Sequence, residues 1–413
     1  MVSSIARQMC NKLAAPAAAP TRWMGLAVLF LLMPLLLHRV QAETAPLPPL
    51  QSADPVVDAL FHRSGSIGMV VVVVRGNERW MQSYGQTYPG SHQKPDADSL
   101  IRLCSLSKIM TTDLLVKLVA EGRVSLSDPL QKFAPRNVTV PVHTVRGLSG
   151  PPITLQNLAT HTSGLPREIA YPAGDAGHFT FPDYNFRWQW LPGYRLRFAP
   201  GTAAHYSNIG FDLLADALAA AAGKPYPQLF ADRIAKPLGL RDTTVNPTPG
   251  ECARLLIGAR NEGPCSDTTA AAGSGGIYST ANDMTRWLAY LLDLPGAPMH
   301  QDPAATATYI QASHSPATII EKTGGGAGYT TYIALNPERH IGLFVAATEG
   351  RHEGANIFRE SNDLLVYLAG LTSVPGDSME LAADGGHSDV QVKKHHKHAA
   401  RQITRTSVIA AVQ

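Results

Sequence analysis

The sequence predicts an α/β fold of the α+β kind, with one antiparallel sheet assembled from both ends of the chain, flanking helices and an inserted, mainly helical lobe. Three observations predict it. A β-branched run and a second, more alternating run meet at a Gly76-Asn77 turn in "GMVVVVVRGNERWMQSYG" (68–85), which is a hairpin signature. Strand signals then vanish until "ATIIEKTGG", "GYTTYIALNP" and "IGLFVAAT", separated by Gly-rich and "ERH" turns, which read as an antiparallel meander. Between these two blocks, from Ser105 to about Leu294, apolar residues recur mostly at helical spacing. Strands at both ends with helices between imply one sheet and a second lobe, with a site expected in the cleft.

Taken in order, the chain opens on Arg7, Lys12 and Arg22, then the apolar run Trp23 to Leu37, then the small-residue site Val40-Gln41-Ala42 before Glu43. This is the pattern of a secretory signal (1–42) cleaved after Ala42, with export as its consequence. The alternative is an uncleaved inner-membrane anchor, disfavoured by the short run and by Pro34. After a Pro-rich leader, Val56, Val57, Leu60 and Phe61 predict a helix, and the first strand of the hairpin, apolar throughout, is expected to be buried on both faces. "FDLLADALAAAAG" (211–223) ends on a glycine stop, "ANDMTRWLAYLLDL" predicts another amphipathic helix, and "GANIFRESNDLLVYLAG" closes the domain with a helix. The irregular aromatic stretch from Tyr171 to Gly201 reads equally as pocket lining or as a loop pinned by buried rings. The domain therefore spans 43–372, with an α/β lobe of 43–104 and 305–372 and a helical lobe of 105–304. Residues 373–413 form a basic, His-rich tail expected to be disordered, with weak association to anionic envelope polymers as its possible use.

Bulk properties exclude more than they choose. The 413 residues are 45% hydrophobic with a formal net charge of +3, too mild to argue for nucleic acid. Of four cysteines, Cys10 leaves with the signal. Cys252 and Cys265 are thirteen apart beside a "GPC" turn, a candidate disulfide in an oxidising compartment that would stabilise the fold by about 3 kcal/mol. Cys104 remains as a thiol next to Ser105 and reads as a small buried apolar residue rather than a catalytic one.

The chemistry centres on "CSLSK". Ser105 and Lys108 are three apart, so in a helix they share a face and the amine can reach the hydroxyl, while Ser107 points elsewhere. The positive helix end and burial both disfavour a protonated lysine there, which suits it to take the serine proton. Spacing alone is weak: "SHQK" (Ser91 to Lys94) has it too, but Pro95 biases Lys94 away from helical geometry. Only the pattern at Ser105 continues into an apolar stripe, Ile109, Met110, Leu114, Leu115 and Leu118. Further along, Tyr206-Ser207-Asn208 stands directly before a helix, and Lys322-Thr323-Gly324 at the end of a strand. Tyr206, with two cationic neighbours, is a candidate proton relay, and Asn208 can hold the lysine amine and a substrate amide together. Lys322 and Thr323 offer charge and hydroxyl to a substrate carboxylate, while Gly324 and Gly325 let a peptide lie along the strand. The NH groups of Ser105 and Gly325 are the simplest oxyanion donors.

The order S-x-x-K, Y-x-N, K-T-G resembles the penicillin-recognising serine acyltransferases, and Tyr-x-Asn resembles their class C β-lactamase branch. "ITLQNLATHTSGLPRE", "SGGIYSTANDMTRW", "GKPYPQLFADRIAKPLGLRDTT" and the Cys252/Cys265 pair extend the likeness from about residue 50 to about 372. The resemblance implies the β-lactamase/transpeptidase-like fold, Ser105 as acylated nucleophile, Lys108 as its base partner, Tyr206 as relay, and Lys322 with Thr323 as carboxylate recognition. It implies hydrolysis of D-Ala-D-Ala termini and D-Ala-diaminopimelate cross-links in peptidoglycan, acylation by β-lactams, and no metal or cofactor. A β-lactamase or esterase on the same scaffold is the alternative, and a low-turnover penicillin-binding sensor or scaffold the second. One departure stands out: relatives carry a further strand ahead of K-T-G, where this chain has only "PGAPMHQDPAATATYIQASHSP", so an exposed sheet edge or an opened cleft is expected there.

Overall fold

The computed structural model describes residues 46–170, 181–259, 263–294, 311–312, 319–326, 328–350 and 356–371. The expected signal (1–42) and tail (373–413) lie outside the described residues. Helix α1 (Asp54–Ser64) buries Val57 and Leu60 and stops at Gly65 in the left-handed conformation. It leads into β1 (Gly68–Arg75), whose five valines favour extended backbone and whose eight residues are all buried, and β2 (Glu78–Gly85) returns through the Gly76-Asn77 turn. A short β3 (Ile101–Arg102) precedes α2 (Ser107–Ala120).

The middle of the chain is helical, with small strand pairs that the sequence pattern did not signal. β4 (Thr144–Val145) and β5 (Leu148–Ser149) make an exposed hairpin. The helices α3 (Leu155–Ala159), α4 (Tyr184–Trp190), α5 (Asn208–Ala222), α6 (Tyr226–Phe230), α7 (Lys236–Leu238) and α8 (Pro249–Cys252) follow. β6 (Tyr278–Ser279) pairs with β3 and feeds α9 (Ala281–Leu291). The aromatic stretch is thus partly helical: α4 buries Arg187 and Trp188.

The C-terminal strands are β7 (Gln311–Ala312), β8 (Ile320–Gly326), β9 (Tyr329–Asn336) and β10 (Ile341–Thr348), followed by α10 (Ile357–Leu368). The sheet order is β2-β1-β10-β9-β8-β7, every neighbouring pair antiparallel. Along β1 the period-two rule divides the molecule. Val70, Val72 and Val74 join the helices in one hydrophobic core with Phe344 and Met110, while Met69, Val71 and Val73 join α1 and α10 in a second.

Two expectations are corrected here. Lys322-Thr323-Gly324 lies inside β8 rather than at its end, because Gly324, Gly325 and Gly326 continue the ladder opposite Thr331, Thr330 and Tyr329. The edge ahead of β8 is not bare, since β7 pairs with Ile320 and Glu321. Among the described residues no strand pairs with Gly324–Gly326 on that side. Among the described residues no helix is long and apolar enough to cross a membrane.

Candidate active site

Ser105 lies in a 3-10 turn (Cys104–Leu106) that runs directly into α2, so the serine precedes the α-helix and Lys108 occupies its first turn. Cys104 takes a left-handed φ of 50°, an uncommon conformation for a non-glycine residue and one that sharpens the bend presenting Ser105. The thiol of Cys104 is buried and donates to Gly326 O at 3.3 Å. Ser107 is buried and accepts from the Ile277 N–H at 3.1 Å.

Lys108 is fully buried, and its Nζ donates to Ser105 Oγ at 3.4 Å and to the carbonyl of Ser274. The Tyr206 phenol donates to the same Ser105 Oγ at 2.7 Å. Tyr206 is carried to this point by the start of α5, where Ser207 caps the helix by accepting from Gly210 N–H at 2.9 Å and anchors to Pro166 O at 2.6 Å. Three basic side chains face the Tyr206 ring: Lys108 at 4.9 Å, Arg167 at 4.8 Å and Lys322 at 5.8 Å. Burial, then the nearby Lys322 charge, push the Lys108 amine well below its ordinary pKa, while Asp212 and Glu168 pull it back up. Lys322 is lowered to about 8, first by burial and then by Arg167. An unprotonated amine beside a serine hydroxyl can accept its proton.

β8 brings its glycines against the serine turn. A Cβ on Gly324 would sit 2.2 Å from Thr331 Oγ1, 2.9 Å from Leu103 O and 3.3 Å from Ser105 N, so only glycine permits this approach. Gly325 has nothing within 4 Å of its Cβ position and borders open space. Lys322 is buried beside the cleft while Thr323 is exposed. A cleft of about 210 Å³ is lined among others by Ser105, Arg167, Glu168, Asn208, Tyr278 and Gly325.

Asn208 departs from its expected partner. Its Nδ2 donates to Glu168 Oε1 rather than joining the lysine, because Asn208 N–H is fixed to Arg167 O at 2.9 Å and draws the 166–168 segment along the start of α5. Its Oδ1 is buried without a hydrogen-bond partner among the described residues, an acceptor a ligand N–H would satisfy. The "SHQK" residues do not meet: Ser91 Oγ shares a hydrogen bond with Thr87, and Lys94 lies over the Tyr84 ring at 5.6 Å.

Residues that the motifs passed over are His161, Arg167, Glu168 and Arg102. His161, at a left-handed φ of 59°, accepts from Ser207 N–H at 3.0 Å through Nδ1 and packs its ring on Tyr206 at 4.4 Å. Burial, then Lys108 and Lys322, hold it neutral with a pKa lowered to about 2. Arg102, buried, donates to Tyr278 Oη at 2.7 Å and to Pro264 O at 2.9 Å, tying the cleft wall to the loop closed by the Cys252–Cys265 disulfide, whose Cα atoms are 5.6 Å apart. Among the described residues no three His, Cys, Asp or Glu side chains are placed to hold a metal ion.

This geometry agrees with what the chain resembles as a whole. The beta-lactamase family model matches residues 53–367. The chain belongs to the beta-lactamase family. Within it, the chain is 42% identical over 362 residues to the D-alanyl-D-alanine-carboxypeptidase/endopeptidase AmpH of Escherichia coli (strain K12), covering 81% of this chain and 93% of that protein. A crystal structure of a beta-lactamase/D-alanine carboxypeptidase from Yersinia pestis, complexed with citrate, superimposes with a TM-score of 0.70 at 39% identity, covering 77% of this chain and 97% of that one. A class C beta lactamase from Rhodobacter sphaeroides shares the fold at a TM-score of 0.61, with 21% identity and coverage of 77% and 98%. The beta-lactamase family chain described here is a serine hydrolase.

Proposed function

We propose that this hydrolase is an exported, periplasmic D-alanyl-D-alanine carboxypeptidase and endopeptidase that removes terminal D-alanine from peptidoglycan stem peptides and opens D-Ala-diaminopimelate cross-links. The observation that carries it is the convergence of the Tyr206 phenol at 2.7 Å and the Lys108 amine at 3.4 Å on Ser105 Oγ, beside the glycines of β8. The relatives' names support the substrate class.

The substrate strand lies along β8 beside its glycines, its carboxylate on Lys322 and Thr323 and its backbone N–H on Asn208 Oδ1. The scissile carbonyl oxygen sits between the N–H groups of Ser105 and Gly325. Neutral Lys108 takes the Ser105 proton as Oγ bonds to the carbonyl carbon. Collapse of the tetrahedral intermediate breaks the C–N bond, and Tyr206 hands a proton to the leaving amine, replenished from Lys108. Water then attacks the ester on Ser105, giving up its proton through the same pair, and frees the shortened peptide. β-Lactams open their ring on the same serine.

Digestion of purified muropeptides followed by mass analysis tests this. Loss of terminal D-alanine and of cross-links, both abolished by Ser105→Ala, is expected. Penicillin labelling with neither product contradicts it and favours a binding protein, while rapid penicillin hydrolysis without muropeptide products favours a β-lactamase.

A further inference from the structure

Behind the lysine lies a carboxyl that the reaction above leaves unused. Asp212, on the first turns of α5, is 7% exposed, and its Oδ1 accepts from the Ser274 N–H at 3.0 Å. The carbonyl of that same Ser274 accepts from Lys108 Nζ. One residue therefore has its N–H on the carboxyl and its C=O on the amine. The segment around it is wedged in place from both sides. From α2, Thr111 Oγ1 donates to Gly273 O at 3.0 Å and Ser107 Oγ accepts from Ile277 N–H at 3.1 Å. Against α5, a Cβ on Gly273 would lie 2.2 Å from Phe211 O, so the backbones touch.

The charges facing this pair come from every neighbouring element. On the Asp212 side, Arg187 of α4 is committed to Asp216 through two 2.6 Å hydrogen bonds, and Tyr226 of α6 shares a 2.8 Å bond with Thr111. On the Lys108 side stand Lys322, Arg167, Glu168 and neutral His161. When Lys108 takes the serine proton it becomes a buried ammonium beside two further cations, which is costly unless a counter-charge is fixed nearby.

We propose that Asp212 is a positioning residue for acylation: its carboxylate supplies the counter-charge under which Lys108 receives the Ser105 proton, and its bond to Ser274 holds the carbonyl that aims the amine. The proposal rests on Lys108 acting as the base. Electrostatics agree with the geometry: Asp212 pulls the amine's pKa up against burial, while burial raises that of Asp212 and the Arg187 and Lys108 charges draw it back down. A cavity of about 330 Å³ on the far side of Asp212, lined also by Arg187, Asp216, Tyr226 and Gly273, leaves room for a small anion should the carboxylate be removed.

The test is the pH dependence of Ser105 acylation by benzylpenicillin in the full chain. Asp212→Asn keeps an acceptor for Ser274 N–H and deletes the charge. The lysine becomes a weaker base that loses its proton earlier, so the plateau rate falls about tenfold while the acid limb moves about one unit to lower pH. A purely structural lesion lowers the plateau without moving the limb. Asp212→Ala provides the second arm: formate, entering the cavity, restores both rate and limb, and acetamide does not. A wild-type acid limb in Asp212→Asn, or no response of Asp212→Ala to formate, overturns the proposal. Wild-type protein that is not acylated at all would instead overturn the assignment of Ser105 and Lys108 on which it rests.

Discussion

At the scale of single residues, Lys322 carries the plainest pH dependence. With its pKa lowered to about 8 by burial and Arg167, its ammonium is present below pH 8 and lost above it. KM for a peptide with a free C-terminal carboxylate is therefore expected to stay flat to about pH 8 and then climb, whereas kcat for an ester lacking that carboxylate should not follow; steady-state kinetics on both substrates checks this. The same depression means that the unfolded chain binds more protons between about pH 8 and the ordinary lysine value. The contribution of Lys322 to stability thus rises with pH across that window. Tyr206→Phe removes the hydroxyl on Ser105 and should slow acylation by about 10²–10⁴-fold with the fold intact, measured by penicillin labelling rate and circular dichroism. Ser105, Lys108 and Tyr206 were legible because each needs only a local element: a helix behind the S-x-x-K, a helix start after Tyr206. His161, Arg167 and Glu168 were not, since their contacts depend on a left-handed bend at His161 and on a segment laid across the start of α5, neither of which has a periodic signal.

At the scale of elements, Gly324 and Gly325 of β8 separate fold from function. Gly324→Ala forces a methyl group into Thr331 and the Ser105 turn, so it should cost about 1–3 kcal/mol in denaturant unfolding and most of the activity. Gly325→Ala meets open space and should leave the melting temperature unchanged while altering KM. Opening the disulfide with Cys252→Ser is expected to cost about 3 kcal/mol and to loosen Arg102 on the cleft wall, read by urea unfolding with and without reductant. The hairpin, the meander and the long helices were readable because valine runs, turn residues and caps act locally. The two-residue strands β3, β4, β5, β6 and β7 were not, because so short a strand has no period to detect and is made by its partner. The glycine run after Lys322 looked like a turn for a related reason: its strand conformation comes from the ladder to β9, against glycine's own preference.

At the scale of the molecule, the sheet's dependence on both chain ends is held by a few long-range contacts. Buried Arg75, at the end of β1, donates to Pro48 O at 2.7 Å and to Leu368 O at 3.0 Å, joining the segment before α1 to the end of α10. Arg75→Met should destabilise the whole fold by about 3 kcal/mol in a single cooperative transition, measured by denaturant unfolding. The overall class followed from the sequence because strand signals at the two ends bracket helical periodicity, whereas the continuity of one core from the sheet into the helices required the alternation along β1 to be seen in place. Everything that this architecture does for catalysis converges on one oxygen atom. The most direct measurement is therefore peptide mapping by mass spectrometry after incubation with benzylpenicillin. A penicilloyl mass on the peptide containing Ser105, absent from Ser105→Ala, is the predicted result; no adduct, or an adduct on another side chain such as Cys104 or Ser107, would contradict it.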